Sequence, residues 1–224
     1  MTTSGVPFRK GHGTGNEFIL VSGLDGYFAD PKSVTPVIAQ NICNRDSGLG
    51  ADGVLRVARA SEFEVDDAQY FMDYTNADGS ISATCGNGLR VFARYLVEAG
   101  LENRGQFTIG TRAGTVTVAI SETDTDFTNI AITMGHVSLG PMNVTVETET
   151  GSWPAVGIAG MNNHAVSVVD DIASAGSLAD IPTALPAGTY PDGVNFEFIQ
   201  EKSPTHIAMR THERGVGETL SCGS

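Results

Sequence analysis

Cysteine is scarce in this chain: Cys43, Cys85 and Cys222 are the only three in 224 residues, and no two form a CxxC pair. An odd number of widely spaced thiols excludes a disulfide framework and a structural zinc cluster as organising devices. Reduced thiols in a reducing compartment are the simplest reading, leaving at least one available for chemistry. Basic residues are also few, 13 against 26 acidic, for a net charge of -13. Nucleic acid, whose phosphates are met by cationic surfaces, is therefore not an expected partner. No run approaches the roughly 18 to 20 apolar residues that span a bilayer, and the opening MTTSGVPFRKGHG has no signal-peptide core. A cytoplasmic protein with no membrane partner is expected. The sequence holds no GxGxxG, P-loop, HExxH or GxSxG motif. Its lysines, Lys10, Lys32 and Lys202, offer no persuasive setting for a Schiff base, and its histidines are too scattered to argue a metal site. No cofactor and no metal are expected.

What is present is a globular composition, 41% hydrophobic with 27 glycines, enough to bury a substantial core. Short β-rich runs dominate: Glu17 to Ser22, Val54 to Val57, Tyr70 to Tyr74, Phe107 to Thr111 and the alternating Thr115 to Ile120, the last two joined by a turn at Arg112-Ala113-Gly114. Asn129 to Met134, Val144 to Glu147, His164 to Val169, Val194 to Gln200 and Thr205 to Thr211 follow. Thr35-Pro36 reads as a capped helix start, with Ile38 and Ile42 on one face. A second helix is expected from Gly86 to Ala99, its apolar stripe of Leu89, Phe92 and Leu96 stopped by Gly100, and a weaker one after Asp170-Asp171. The acidic stretch Ser121 to Thr128 is the natural boundary, which predicts an α+β protein of two lobes, 1–121 and 122–224.

The two lobes carry one faint echo: Ala83-Thr84-Cys85-Gly86-Asn87 against Leu220-Ser221-Cys222-Gly223-Ser224. Cys85 stands where a helix begins, beside unpaired N–H groups and the positive end of the dipole, a setting that makes a thiolate accessible. The amides at Gly86 and Asn87 would suit a carboxylate. A buried cysteine is more often a small hydrophobe, but Gly, Asn and Gly make a poor core, whereas Cys43, on the helix after Pro36, reads as core. Two such thiols facing one carbon would form a matched acid and base, one protonated and one ionised.

With these residues the sequence resembles the diaminopimelate epimerase family. The matching segments are Phe8 to Phe18, Gly48 to Gly53, Asn76 to Ser80, Cys85 to Arg90, Asn162 to Val166, Val194 to Phe198 and Arg210 to Ser224. The resemblance implies two pseudo-symmetric lobes, each a curved, mostly antiparallel sheet around a central helix. It implies a cofactor-independent interconversion of LL- and meso-2,6-diaminopimelate for lysine and peptidoglycan synthesis, by a homodimer in the full-length parent. Cys85 and Cys222 would be the catalytic pair, supported by His164 and Glu213. Asn16, Asn76, Asn162, Asn195, Glu213 and Arg214 would contact substrate, and the amides of Gly86, Asn87, Gly223 and Ser224 would hold its reacting carboxylate. Taken singly, an asparagine in a turn usually caps its own backbone, a His opening an apolar strand is usually structural, and a Glu-Arg pair is usually a surface ion pair. Two departures stand out. Met161 and Asn163 replace the family's Gly and Pro around Asn162, and the family continues past Cys-Gly-Ser. The second lobe is therefore expected to be incomplete and the chain itself inactive, with an amino-acid-binding fragment or a related racemase or isomerase as alternatives.

Overall fold

The computed structural model describes residues 5–222. Contacts divide the chain into two units, Met1–Met134 and Gly135–Ser224.

The first unit is one seven-stranded sheet in the order β1 to β7. Its strands are β1 (Phe8–Gly13), β2 (Asn16–Ser22), β3 (Gly53–Arg59), β4 (Tyr70–Asn76), β5 (Gly105–Thr111), β6 (Gly114–Ile120) and β7 (Ile130–Thr133). Two helices interrupt it. The first, α1 (Pro36–Cys43), starts as its sequence dictates: Thr35 Oγ1 accepts the Ile38 N–H at 3.2 Å, and Pro36 occupies the first turn. The second, α2 (Gly86–Glu98), buries Leu89, Phe92, Ala93 and Leu96 completely. Arg94 and Glu98 pair at 2.8 Å on its exposed side, and Gly100 at φ +68 ends the run, as glycine can without a Cβ penalty. α2 packs against both edge strands, β1 and β7, and against β2 and β3 between them. The sheet thus curls around one helix. Because β7 pairs with β6, the first unit extends past the expected boundary at residue 121.

One charged side chain lies fully inside this unit. Arg56 on β3 is 0% exposed and reaches Asp73 at 2.8 Å and Glu62 at 3.0 Å, while Arg112 meets the other Asp73 oxygen at 2.6 Å. A buried guanidinium is tolerated only when such partners replace its water.

The second unit is an eight-stranded sheet: β8 (Ser138–Leu139), β9 (Val144–Thr148), β10 (Gly151–Ala159), β11 (Asn163–Val168), β12 (Thr183–Leu185), β13 (Asn195–Ser203), β14 (His206–Glu213) and β15 (Gly217–Thr219). The order is β12-β9-β10-β11-β13-β14-β15, with β8 beside β10. Its core gathers Val144, Val146, Ala165, Leu178, Phe196 and Phe198. The expected helix after Asp170-Asp171 is a single 3-10 turn, Ile172–Ala175, whose Ala173 N–H is capped by Asp171 at 3.0 Å. Among the described residues this unit contains no α-helix.

The two units repeat one pattern. A hairpin (β1–β2; β10–β11) is followed by a parallel crossover (β2 to β3; β11 to β13) and an antiparallel return (β3 to β4; β13 to β14). The registers of the crossover and the return agree, while the hairpin of the second unit is one residue tighter. Phe18 faces Gly53 and Gly53 faces Asn76; His164 faces Asn195, and the next pair along β13, Phe196 with His212, sets Asn195 opposite Glu213. Beyond the return, Ile81 bridges Thr75 and Cys85 follows four residues later. Glu218 pairs with His212, and Cys222 follows four residues later. The faint Cys-Gly echo therefore marks one topological position in two sheets.

Candidate active site

In the first unit, Cys85 is the N-cap of α2 in extended conformation (φ -153, ψ 118), and its Sγ accepts the Gly88 N–H at 3.4 Å. It is 6% exposed. The glycine at 88 brings this turn against aromatic carbon: a Cβ there would stand 3.4 Å from the Phe18 ring tip and 3.5 Å from the Cys85 Cβ. The sulfur also lies 3.7 Å from Asn16 Oδ1, the first residue of β2. Asn16 is oriented from behind. Its Nδ2 donates to Asp52 Oδ2 at 2.8 Å, and that same oxygen takes the Glu17 N–H at 2.8 Å while Arg45 holds Asp52 Oδ1 at 2.9 Å. The β1–β2 turn is more than a plain turn, since Thr14 Oγ1 reaches Asn87 Oδ1 at 3.2 Å. A Cβ on Gly13 would stand 2.8 Å from the Asn87 carbonyl oxygen, so only glycine lets the hairpin lie against the first turn of α2. Asn76, ending β4, donates Nδ2 to Ser80 Oγ at 3.0 Å. Cys85, Asn16, Asn76 and Asn87 are all buried. Arg90 donates to the Gly86 carbonyl at 3.0 Å and to the Ile130 carbonyl at 3.2 Å, fastening the helix start to β7.

Cys43 is separate from this cluster. It is 3% exposed, packed with Ala39, Ile19 and Val54, and burial, helped by the Asp52 charge, pushes its thiol up to about 11. It is core, as its sequence position suggests.

In the second unit, Cys222 is half-buried. Asn195 donates Nδ2 to its sulfur at 3.7 Å, and Asn195 Oδ1 accepts the Arg214 N–H at 2.9 Å. His164 Nδ1 lies 4.0 Å from the sulfur and 2.7 Å from Glu197 Oε1. Burial works against a charged His164, but the Cys222 sulfur and the Glu197 carboxylate outweigh it and raise the imidazole to about 10. A single Nδ1 proton cannot serve both neighbours equally. At 2.7 Å it belongs to the carboxylate, and the imidazolium acts on the sulfur through its charge. Glu213 is 9% exposed and its Oε1 takes the Thr219 hydroxyl at 2.5 Å. Arg214 turns its Nη1 to the Asp192 carbonyl at 2.7 Å. Asn162 lies in the turn between β10 and β11, half-buried. Gly223 and Ser224 lie outside the described residues.

The donor atoms of His164, Glu197 and Cys222 lie within 4.8 Å of one another, spacing that a metal ion could use. The Nδ1 to Oε1 contact at 2.7 Å is instead that of a shared proton, and a protonated imidazole is no ligand.

Of the expected residues, Asn16, Gly86 and Asn87 stand beside or next to Cys85, and Asn195 and His164 beside Cys222, while Asn76 ends β4, Glu213 ends β14 with Arg214 just past it, and Asn162 lies in the β10–β11 turn. Two positioning residues carried no assigned role in the sequence. Asp52 sat inside the Gly48 to Gly53 motif and Glu197 inside Val194 to Phe198. Alternation was the missed signal for Glu197: Phe196 and Phe198 enter the core, and a carboxylate between them in a buried strand needs a partner.

The family model for diaminopimelate epimerase matches residues 8–140 and 158–224. The chain belongs to the diaminopimelate epimerase family. It is 42% identical to the diaminopimelate epimerase of Streptomyces coelicolor over 98% of its own length and 75% of that protein's. Identities are 39% to the enzyme of Corynebacterium glutamicum and 41% to that of Rhodococcus jostii, each covering 98% of this chain and 79% of the relative. The chain is shorter than these relatives. Among solved structures, a hydroxyproline epimerase from Agrobacterium vitis superposes with a TM-score of 0.67 at 16% identity, covering 96% of this chain and 72% of that one. A probable proline racemase from Agrobacterium radiobacter gives 0.67 at 17%, covering 98% and 74%. These distant structures show the two-lobed fold of curled sheets. The activity of the family is an amino-acid epimerisation, the interconversion of LL- and meso-2,6-diaminopimelate.

Proposed function

We propose that Cys85 and Cys222 are the paired acid and base of this epimerisation, working without a cofactor. The repeated topology carries the reading: both sulfurs stand at the same place in two equivalent sheets, each beside an asparagine that opens a strand. One thiolate removes the α-proton from one face of the substrate carbon, and the other thiol supplies a proton to the opposite face. Inversion follows because bond breaking and bond forming use opposite faces.

The helix start supports the carboxylate role of Gly86 and Asn87. N–H groups at a helix N-terminus stabilise negative charge by about 0.3–1 kcal/mol, and charge develops beside the α-carboxylate as the α-carbon loses its proton. Gly223 and Ser224 take the matching role by their place after Cys222. Asn76, Asn162 and Asn195 offer amides to the second amino and carboxylate groups, and Glu213 with Arg214 offers both charge signs. His164 and Glu213 orient protons near Cys222. The domain boundary of this reading lies between the two cysteine-bearing sheets, and the family resemblance supports a homodimer in the cytoplasm.

Incubation with LL-diaminopimelate in deuterated water tests the assignment. A form extended to the length of its relatives exchanges the α-hydrogen and forms the meso isomer, and in it Cys85→Ala and Cys222→Ala each lose epimerisation by at least about 10³-fold. Near-native turnover in either variant would show that the acid-base pair is misassigned, and binding without exchange would mark a non-catalytic amino-acid binder.

A further inference from the structure

Two turns of the second unit are joined by one side chain. In the first, Tyr190-Pro191-Asp192-Gly193, the Gly193 N–H returns to the Tyr190 carbonyl at 3.1 Å. Proline at its second position and glycine at its fourth are the residues such a turn favours, and Tyr190 anchors it by packing against the apolar core. In the second, Glu213 to Val216, the Val216 N–H returns to the Glu213 carbonyl at 3.1 Å, and Gly215 supplies φ +77. Arg214 lies within this second turn, its backbone N–H held by Asn195 Oδ1 at 2.9 Å. Its side chain crosses to the first turn, where Nη1 donates to the Asp192 carbonyl at 2.7 Å.

The crossing depends on the residue at 193. Gly193 sits at φ +86, and a Cβ built there would overlap Arg214 Cδ and stand 3.2 Å from Cγ. The arginine stem thus fills the space that any other residue at 193 would need. The chain beyond Gly193 enters β13 through buried Val194 and Asn195, so the part that gives way to an added Cβ is the flexible end of the arginine.

A guanidinium carries five N–H groups in a planar fork. The Asp192 carbonyl takes one of them and fixes the fork without neutralising it. Arg214 is exposed and, among the described residues, forms no ion pair, so its charge is left for an anion. Arginine has much rotamer freedom to lose, and a stem already immobilised loses less of it when a carboxylate docks. The family's substrate carries a carboxylate at both ends, and lysine is the same molecule with hydrogen in place of the second carboxylate. Taking Arg214 as the substrate contact proposed above, we propose that the 190–193 turn is the specificity element of the second unit. Gly193 and the Asp192 carbonyl are positioning groups that aim Arg214 at the second carboxylate and so separate diaminopimelate from lysine. The thiols are untouched by this device, so it acts on binding rather than on the chemical step.

In a form extended to the length of its relatives, KM for LL-diaminopimelate and the inhibition constant of L-lysine read the presence and absence of that carboxylate. Gly193→Ala should raise KM about 10- to 100-fold, the span for losing a hydrogen bond to a charged group, and leave kcat and the lysine constant within about twofold. Gly193→Asn, which tolerates a positive φ but keeps the clash, should do the same. Arg214→Ala should raise KM as much, and Gly193→Ala added to it should change nothing further, because the glycine acts only through the arginine. Arg214→Lys leaves the backbone alone and decides the matter if neither Gly193 variant folds. An ammonium lacks the fork that holds a carbonyl and a carboxylate together, so it should cost as much as Arg214→Ala. The proposal is overturned if Gly193→Ala weakens lysine as much as diaminopimelate, if its cost adds to that of Arg214→Ala, or if Arg214→Lys keeps the native KM. A native KM in Arg214→Ala overturns the substrate role of Arg214 itself, whereas a raised KM there with native Gly193 variants overturns only the positioning.

Discussion

The two units share a strand plan but fill it differently, and the difference shows which parts of a repeated fold are scaffold and which are chemistry. The first unit sets the Asn16 amide beside its thiol and buries Arg56 with Asp73, a structural network completed by the partly exposed Glu62 and Arg112. The second places a histidine and a glutamate at the positions of Phe18 and Leu55, directly on the strands that lead to its thiol. Strand order and register survive because they position the cysteine.

The sharpest way to break this contrast is to make the second unit resemble the first. His164→Phe should lower kcat for both substrate isomers by about 10²–10⁴-fold, the usual span for losing a proton-transfer partner, with little change in fold by circular dichroism. An unchanged kcat would mean the imidazole is only packing. Next in size is the structural charge of the first unit. Asp73→Ala leaves Arg56 buried without its main counter-ion and should cost about 3–5 kcal/mol in urea unfolding, whereas loss of under about 1 kcal/mol would show that Glu62 alone suffices.

The pH dependence separates the units more gently. The folded-state pKa of His164, about 10, is above the ordinary value near 6.5. Its stabilising contribution is therefore complete below about 6.5 and lost as pH rises through about 10. Wild-type melting temperature should fall across that window more steeply than that of His164→Phe, and parallel curves would remove the ion pair from the account. The smallest effect is local to the first unit: Thr35→Ala removes the cap of α1 and should cost about 1 kcal/mol, measured by the same unfolding curves.

Much of this arrangement was legible in the sequence because it rests on local chemistry. Thr35-Pro36 caps α1, Gly100 ends α2, and Leu89, Phe92 and Leu96 lie on its buried stripe. Alternation at Thr115 to Ile120 and Val194 to Gln200 gave β6 and β13. The elements that were missed have signals that depend on distant partners. β1 carries Arg9, Lys10 and three polar or glycine neighbours, and is a strand only because β2 pairs with it along its whole length. β10 contains Pro154, Ala155 and Gly157, which a propensity reading discounts, yet it is flanked by β9 and β11. The site was read from its motifs, but the roles of Asp52 and Glu197 were not, since each acts by turning another side chain. Pairing across a sheet registers such action, and spacing along a chain does not.

The buried thiol of Cys43 has a practical consequence for covalent ligands. Electrophiles react with thiolate, and at physiological pH a thiol displaced to about 11 has almost none to offer. A warhead compound aimed at this protein therefore finds almost no reactive thiolate at Cys43. Intact mass after saturating treatment should show at most two adducts, and peptide mapping should find Cys43 unmodified.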